Sequence, residues 1–586
     1  MGNIAGALGI CGRSRGADDS EPAQTRRSRC GRKRHTDCSA AAIVEAVTDA
    51  PESEPPARRS AAELRFDRVR ARIGAFLAPL VLLGLLLVPM PGLSPEAHRL
   101  AAIAGMTVVL WITEAIPLAV SALLAPALCV LLDVAPAKDA FAAFAHPLIF
   151  LFLGGFMLAE ALSVQGFDRR AALWLLSREL LNGSPTRAMI AVAVTAFGFS
   201  MWISNTATTA MMVPIAVGLC ASIRKLCPPD PEIRARQQRF EEGMLITLAY
   251  AASIGGICTP IGTAPNMIAL GHLEEFVDVR IDFLQWMSFA VPIAVIALIV
   301  MLTLARLHWP PAIERVEGLT ASVRRELDAL GPITPGERRA VGVFGIAIVG
   351  WLTPAILRLA LGQDAPSSVW AERALQESVV ALLAASLLFV IPSGDADARK
   401  RESASVRSGG TEVADRGRGD GGHWQPLLTW KRASSIDWGT LFLLGGGLAL
   451  GELTVDTGLA QAIGDQIGAR LDSGTPPLVL ILVLTALALY LTELVSNTAI
   501  TNMMLPVVVP LAVRAGLDPV PVTLAVTLAA SFAFMLPVST PPNAIAYGTG
   551  LVRIPTMVRF GARLDLLSLV LLVAAGAWVL PLMRFW

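Results

Sequence analysis

From residue 73 onward the chain alternates apolar runs with short polar ones. The apolar runs lie at 73–90, 99–115, 117–133, 147–165, 189–220, 243–270, 283–306, 340–361, 374–392, 437–455, 477–513, 520–550 and 562–583. A helix needs about 20 apolar residues to cross a bilayer core, whereas a barrel strand needs only about 9–11. Helices and closed barrels alone satisfy their backbone in lipid, and these runs are too long for barrel strands. The pattern predicts an all-α polytopic membrane protein.

Two runs break the rhythm. Residues 189–220 and 477–513 are too long for one crossing and too short for two. Each carries a polar tripeptide near its middle, in SNTATTAMMVP (204–214) and SNTAITNMMLP (496–506). That shape predicts a re-entrant helical hairpin turning at the tripeptide. Proline and glycine packed into TPIGTAPN (259–266) and LPVSTPPN (536–543) predict a second kind of break, inside 243–270 and 520–550. Proline removes a backbone donor and clashes with the preceding turn, so those helices must unwind.

Charge placement gives the orientation. Arg and Lys crowd residues 1–72, 224–243, 306–339, 393–435 and 553–563. The loops 91–98 and 362–372 carry none, and 271–282 carries only Arg280. Basic loops stay in the cytoplasm, and every loop falls on its expected side if both long runs are hairpins. This gives eleven crossings and two hairpins, the N-terminus inside, the C-terminus outside, and hairpins opening to opposite faces. Residues 1–72 are expected to be a disordered basic tail, 307–338 a cytoplasmic linker between halves 73–306 and 339–586, and 393–435 a cytoplasmic insert. Cys30 and Cys38 flank His35 in the tail, but their spacing fits no zinc pattern. Cys129, Cys220 and Cys258 fall in or beside apolar runs, as small packing residues do.

The tripeptide belongs to a longer repeat. LFLGGFMLAE (151–160) resembles LFLLGGGLAL (441–450), each ahead of its tripeptide, and GGICTPIGTAPN (255–266) resembles FAFMLPVSTPPN (532–543), each behind it. Three matched blocks in one order, around hairpins opening to opposite faces, predict an inverted-topology repeat. Secondary transporters built this way hold substrate near the midplane, where the repeats meet.

The blocks also define a chemistry. Ser, Asn and Thr favour helix N-termini, whose partial positive charge attracts carboxylates. Two tips facing each other would hold the two ends of a small dianion. Unwound carbonyls with Ser, Thr and Asn oxygens suit a hard cation such as Na⁺. No Arg, Lys or His stands near either tip to neutralise a dianion, and burying one uncompensated is costly, so co-bound cations are expected. A proton relay would need intramembrane acids. Glu114 and Glu493 are the candidates, with capping or pairing at helix breaks the alternative reading. No membrane-embedded nucleophile–base pair or metal cluster is visible, so the sequence does not read as an enzyme.

The paired tripeptides, WITEAIP (111–117), the double-glycine blocks and MLPVSTPPNAIAYGTG (535–550) together resemble the divalent anion/sodium symporter family over about residues 73–586. That family includes sodium-coupled carriers of succinate, malate, fumarate, citrate and sulfate. The resemblance implies a homodimer in the cell membrane, each protomer with a scaffold part and a mobile transport part working as an elevator. It implies no resident cofactor, only Na⁺ as coupling ion, and no nucleic-acid partner. By motif position it places one sodium site at Ser200, Asn205 and Gly262, and a mirror site at Thr492, Asn497 and Ser539. Substrate would meet Ser204, Asn205, Thr206 and Thr263 from one half, and Ser496, Asn497, Thr498, Thr540 and Pro541 from the other. Ala264 stands where the family commonly has proline. The resulting expectation is sodium-coupled import of a C4-dicarboxylate. Its rivals are a sodium-independent exchanger or a sulfate or citrate carrier of the same fold, and, outside transport, a membrane scaffold.

Overall fold

The computed structural model describes residues 61–178, 183–228, 230–313, 319–394, 425–468 and 476–579. The Cys30–His35–Cys38 stretch and most of the 393–435 insert lie outside them. Among the described residues the regular elements are all helical. The first half contains α1 (Ala61–Leu87), α2 (Pro95–Thr113), α3 (Leu118–Leu131), α4 (Pro147–Gln165) and α5 (Phe167–Leu176). The first repeated core follows as α6 (Pro185–Ser200), α7 (Asn205–Leu226), α8 (Pro231–Gly256), α9 (Ala264–Val277) and α10 (Phe283–His308). Next come α11 (Leu319–Ala329), α12 (Pro335–Leu361), α13 (Pro366–Ala374), α14 (Glu377–Val390), α15 (Trp438–Asp456) and α16 (Leu459–Gly468). The second core is α17 (Pro477–Leu491), α18 (Asn497–Arg514), α19 (Pro519–Ala530), α20 (Pro541–Gly548) and α21 (Ile554–Ala574).

Local sequence explains where these helices start. Ser94 accepts from the Ala97 N–H with Pro95 at the first turn of α2, and Asp282–Gln285 and Thr334–Glu337 form capping boxes on α10 and α12. Each such cap satisfies N–H groups that have no intrahelical partner. Among the described residues seven helices are long and apolar enough to cross a membrane individually. Asn205–Lys225, the second limb of the first expected hairpin and its continuation past residue 220, is one of them. Other expected crossings fall on shorter helices such as α3, or on the pair α13 and α14, bent by 62° at their junction.

The first helix departs from the sequence expectation. It begins at Ala61, inside the segment expected to be a tail. The stretch AAELRFDRVRAR carries no Gly or Pro to stop a helix, and Arg70 is anchored by Glu114 at 2.7 Å. Basic residues therefore extend the membrane helix instead of preceding it.

Burial identifies the molecular axis. Every residue of α8 from Phe240 to Gly256 is buried, and so is every residue of α19 from Val520 to Ala530. A helix buried all round belongs to the core, and these are the first limbs of the two broken runs. Around them the two repeats pack alike. Helices α6 and α7 pack on α8, as α17 and α18 pack on α19. The halves also interlock, α7 and α8 touching α20 while α18 and α19 touch α9. The double-glycine blocks permit close approach elsewhere: a methyl on Gly154 of α4 would come within 2.7 Å of the Ala381 backbone on α14.

Candidate functional site

The polar tripeptides sit at helix breaks in both halves. Helix α6 ends at Ser200 and α7 starts at Asn205; α17 ends at Leu491 and α18 starts at Asn497. Ser204 caps α7, accepting from the Ala207 N–H at 3.3 Å, and Ser496 holds the N-cap position of α18. The later blocks break as well. Helix α9 starts after Thr263 and α20 after Thr540, whose Oγ1 accepts from the Asn543 N–H at 3.4 Å. Four N-termini headed by Ser or Thr thus lie at the interlock, two more than the tripeptides alone gave.

Hydrogen bonding around the breaks is mirrored. Ser200 Oγ donates to Asn205 Oδ1 at 2.6 Å, and Thr492 Oγ1 donates to Asn497 Oδ1 at 2.7 Å. One helical turn on, Thr209 and Thr501 each donate to the backbone carbonyl of their Asn at 2.8 Å. In the later blocks Asn266 Nδ2 donates to the carbonyls of Gly256 at 3.0 Å and Thr259 at 2.8 Å. Asn543 Nδ2 does the same for Ala533 and Leu536, both at 3.0 Å. Each amide thereby ties down the carbonyls ten and seven residues before it. Each leaves its Oδ1 buried without a donor.

These bonds gather the sequence-predicted residues into two clusters. In the first, Gly256 has no room for a side chain because the Asn205 carboxamide lies against it, and Gly262 packs in the same way on the Gly256 carbonyl. Ser200, Asn205, Gly262 and Asn266 therefore surround one stretch of unwound backbone. In the second, the Thr492 hydroxyl lies 2.7 Å from the Ala530 carbonyl as well, so its single proton is shared between that carbonyl and Asn497 Oδ1. Ser539 Oγ receives Asn543 Nδ2 at 3.2 Å and donates to Leu536 O at 2.6 Å. Ser200 and Thr492 are fully buried. Ser204, Thr206 and Pro541 are exposed, while Asn205, Thr263, Ser496, Asn497 and Thr498 are half-buried. Each half thus has buried oxygen donors behind a polar helix end that is open. Asn266 and Asn543 were not picked out from the sequence, although both occupy the last position of their matched block.

The two acids considered for a relay have structural partners. Glu493 accepts the backbone N–H groups of Phe534, Met535 and Leu536 at 2.6, 2.9 and 3.0 Å, holding the unwound segment of the second half. Glu114 pairs with Arg70 and ends α2 in a left-handed conformation, φ 47°. At the position that departs from the family pattern, Ala264 is the first residue of α9. Its N–H has no intrahelical partner there, proline suits that place, and Thr263 before it is extended, φ −150° and ψ 150°, as a residue preceding proline should be. Ala264→Pro is accordingly expected to fold, to keep uptake, and to gain about 0.4–1 kcal/mol through a stiffer unfolded chain. A lowered melting temperature in detergent would count against this geometry.

Duplicated broken helices whose N-termini lie where the copies interlock are the architecture of a secondary transporter. The chain matches the sodium:sulfate symporter transmembrane region over residues 71–586, and it belongs to that family of multi-pass membrane transporters. It is 31% identical over 512 residues to the sodium-dependent dicarboxylate transporter SdcS of Staphylococcus saprophyticus, covering 87% of this chain and 91% of that one. The Staphylococcus aureus (strain USA300) protein of the same name is 30% identical over the same shares. In fold, the chain resembles the Alcanivorax borkumensis YdaH transporter with a TM-score of 0.50 and 14% identity, over 88% of this chain and 98% of that one. Neisseria gonorrhoeae MtrF gives a TM-score of 0.50 and 12% identity, over 86% and 96%.

Proposed function

We propose that this transporter is a sodium-coupled symporter of a small divalent anion, with a C4-dicarboxylate such as succinate, malate or fumarate as its substrate. The observation that carries the reading is the mirrored Ser200–Asn205 and Thr492–Asn497 pairing at four helix N-termini headed by Ser or Thr. The SdcS relatives, named as sodium-dependent dicarboxylate transporters, support the same choice.

Magnitudes favour coupling to cations. A helix N-terminus is worth up to about 2 kcal/mol to an anion in a partly buried geometry. The idealised cost of moving one carboxylate into a low-dielectric interior is of order 20 kcal/mol. Helix ends alone leave a dianion under-compensated, and the tips hold no basic side chain. In the proposed mechanism, Na⁺ enters among Ser200, Asn205 and the backbone at Gly262, and among Thr492, Asn497 and Ser539. With Na⁺ in place, one carboxylate meets Ser204, Asn205, Thr206 and Thr263. The other meets Ser496, Asn497, Thr498, Thr540 and Pro541. Each Asn serves cation and anion together, which makes binding of one depend on the other. More than one Na⁺ per dianion makes transport electrogenic. Alternating access is assigned to an elevator movement of the two interlocked cores against a dimeric scaffold, in an inverted-repeat arrangement.

The test is uptake of radiolabelled succinate into proteoliposomes. Uptake is expected to require an inward sodium gradient and to rise with an inside-negative potential. Uptake that ignores sodium but needs internal dicarboxylate would establish an exchanger instead. Competition by sulfate but not by malate or fumarate would move the substrate to sulfate.

A further inference from the structure

Outside the site lies an apolar groove of about 310 Å³ between α4, α5, α6 and α12. Leu162, Trp174, Val194, Gly198, Trp202 and Phe344 line it. Its inner end is the tip of the first break. Trp202 packs edge-on against Phe344 at 5.7 Å and stacks on Phe283 at 6.0 Å, two residues from Ser200 and from Ser204. At Gly198 there is open space where a side chain would stand.

Two arginines stand beside the groove wall, on or just past the helices that form it. Along α6, Arg187 precedes Val194, Gly198 and Trp202 by 7, 11 and 15 residues. At about 3.6 residues per turn those offsets return to one face, so Arg187 heads the stripe that lines the groove. Arg187 is exposed. Arg178, just beyond α5, is exposed too, and its guanidinium sits 4.0 Å from the centre of the Trp174 ring, a residue of the groove wall. Charge placement puts both arginines on the cytoplasmic side, where basic pockets between helices take anionic lipid headgroups.

We propose that the groove is a binding site for one anionic phospholipid, its phosphate held by Arg178 and Arg187 and one acyl chain lying along α6 as far as Trp202. The chain fills the space at Gly198 and steadies the break that carries Ser200 and Asn205. Lipid is thereby a regulator of the first half of the transport site, and the proposal stands whatever ion or anion the protein carries.

The experiment uses the full-length protein in phosphatidylcholine vesicles, titrated with phosphatidylglycerol or phosphatidylcholine brominated on its acyl chains. Quenching of tryptophan fluorescence is the readout, with Trp174→Phe identifying the groove signal. Brominated phosphatidylglycerol is expected to quench that signal at lower mole fraction than brominated phosphatidylcholine. Removing each arginine (Arg178→Gln, Arg187→Gln) is expected to weaken the preference roughly fivefold. Gly198→Leu, which fills the groove, is expected to remove the signal for both lipids, and Gly198→Ala to keep it. Equal quenching by the two lipids in the parent protein, or an unchanged preference in the double arginine variant, would show ordinary boundary lipid and overturn the proposal. Gly198→Leu retaining the full groove signal would overturn it as well.

Discussion

Replacing Asn205 or Asn497 with alanine is expected to abolish sodium-dependent uptake while leaving a folded protein. Each side chain lies at the first turn of a helix, accepts a hydroxyl hydrogen bond through Oδ1, and borders unwound backbone. Loss of the Asn205 carboxamide takes away the acceptor of the buried Ser200 hydroxyl, at a stability cost of about 1–3 kcal/mol, before any lost cation contact is counted. The two variants should differ in severity. Thr492 keeps its bond to the Ala530 carbonyl when Asn497 is removed, whereas Asn205 is the side-chain partner through which Ser200 is held. Asn205→Ala is therefore expected to lower the melting temperature more. Asn205→Asp sharpens the test, because it keeps an acceptor and adds negative charge: sodium should bind more tightly and the dianion more weakly. The measurements are sodium-dependent uptake and the shift of melting temperature with added sodium. Unchanged sodium dependence in either alanine variant would remove that Asn from the site.

Why these residues could be found in sequence is itself physical. A polar tripeptide inside an apolar run breaks hydrophobic continuity, and Ser and Asn are residues that cap helices, so the breaks at 201–204 and 492–496 follow from composition alone. The prolines at 265, 541 and 542 locate the starts of α9 and α20 because proline is favoured in the first turn, although others, such as Pro214, Pro506 and Pro510, lie inside helices. What periodicity does not carry is tertiary. Asn266 and Asn543 stand in quoted blocks, yet their task is to bind carbonyls ten residues away, and those carbonyls come within reach only after the chain unwinds. Nothing local marks an Asn that does this from one that faces water. The early start of α1 was hidden for the opposite reason: its charges resemble those of a tail, and the contacts that anchor Arg70, to Glu114 and to the Leu494 carbonyl, come from 44 and 424 residues away. The repeat was legible because matched blocks record it directly. The interlock of α7 with α20 and of α18 with α9 was not, because helix pairing across the repeats leaves no trace in either block.

Glu493 shows how an acid in a membrane can mislead, and its replacement is the second large effect expected. Its position in the first half's register is taken by Met201, so the carboxylate belongs to the second half alone. There it is 2% exposed and receives three consecutive backbone N–H groups. Tyr250 of α8 adds to the same junction by donating its hydroxyl to the Phe534 carbonyl. Glu493→Ala would leave three consecutive N–H donors, one buried and two part-buried, without their acceptor. At about 1–3 kcal/mol for a buried donor and less for the part-buried ones, the loss is about 3 kcal/mol, the lower end of what breaking a buried ion pair costs. A sharp fall in melting temperature and yield is expected, with Glu493→Gln intermediate because one amide oxygen still accepts. The consequence reaches the transport site through Leu536, whose N–H bonds Glu493 while its carbonyl receives Ser539 and Asn543. Glutamine at 493 should therefore weaken sodium binding at the second cluster more than at the first, seen as a raised sodium requirement for uptake. A relay acid would behave otherwise: Glu493→Gln would fold as the parent does and lose only the response of uptake to a proton gradient. A glutamine variant with parental stability, parental sodium dependence and an abolished pH response would return Glu493 to the role of proton carrier.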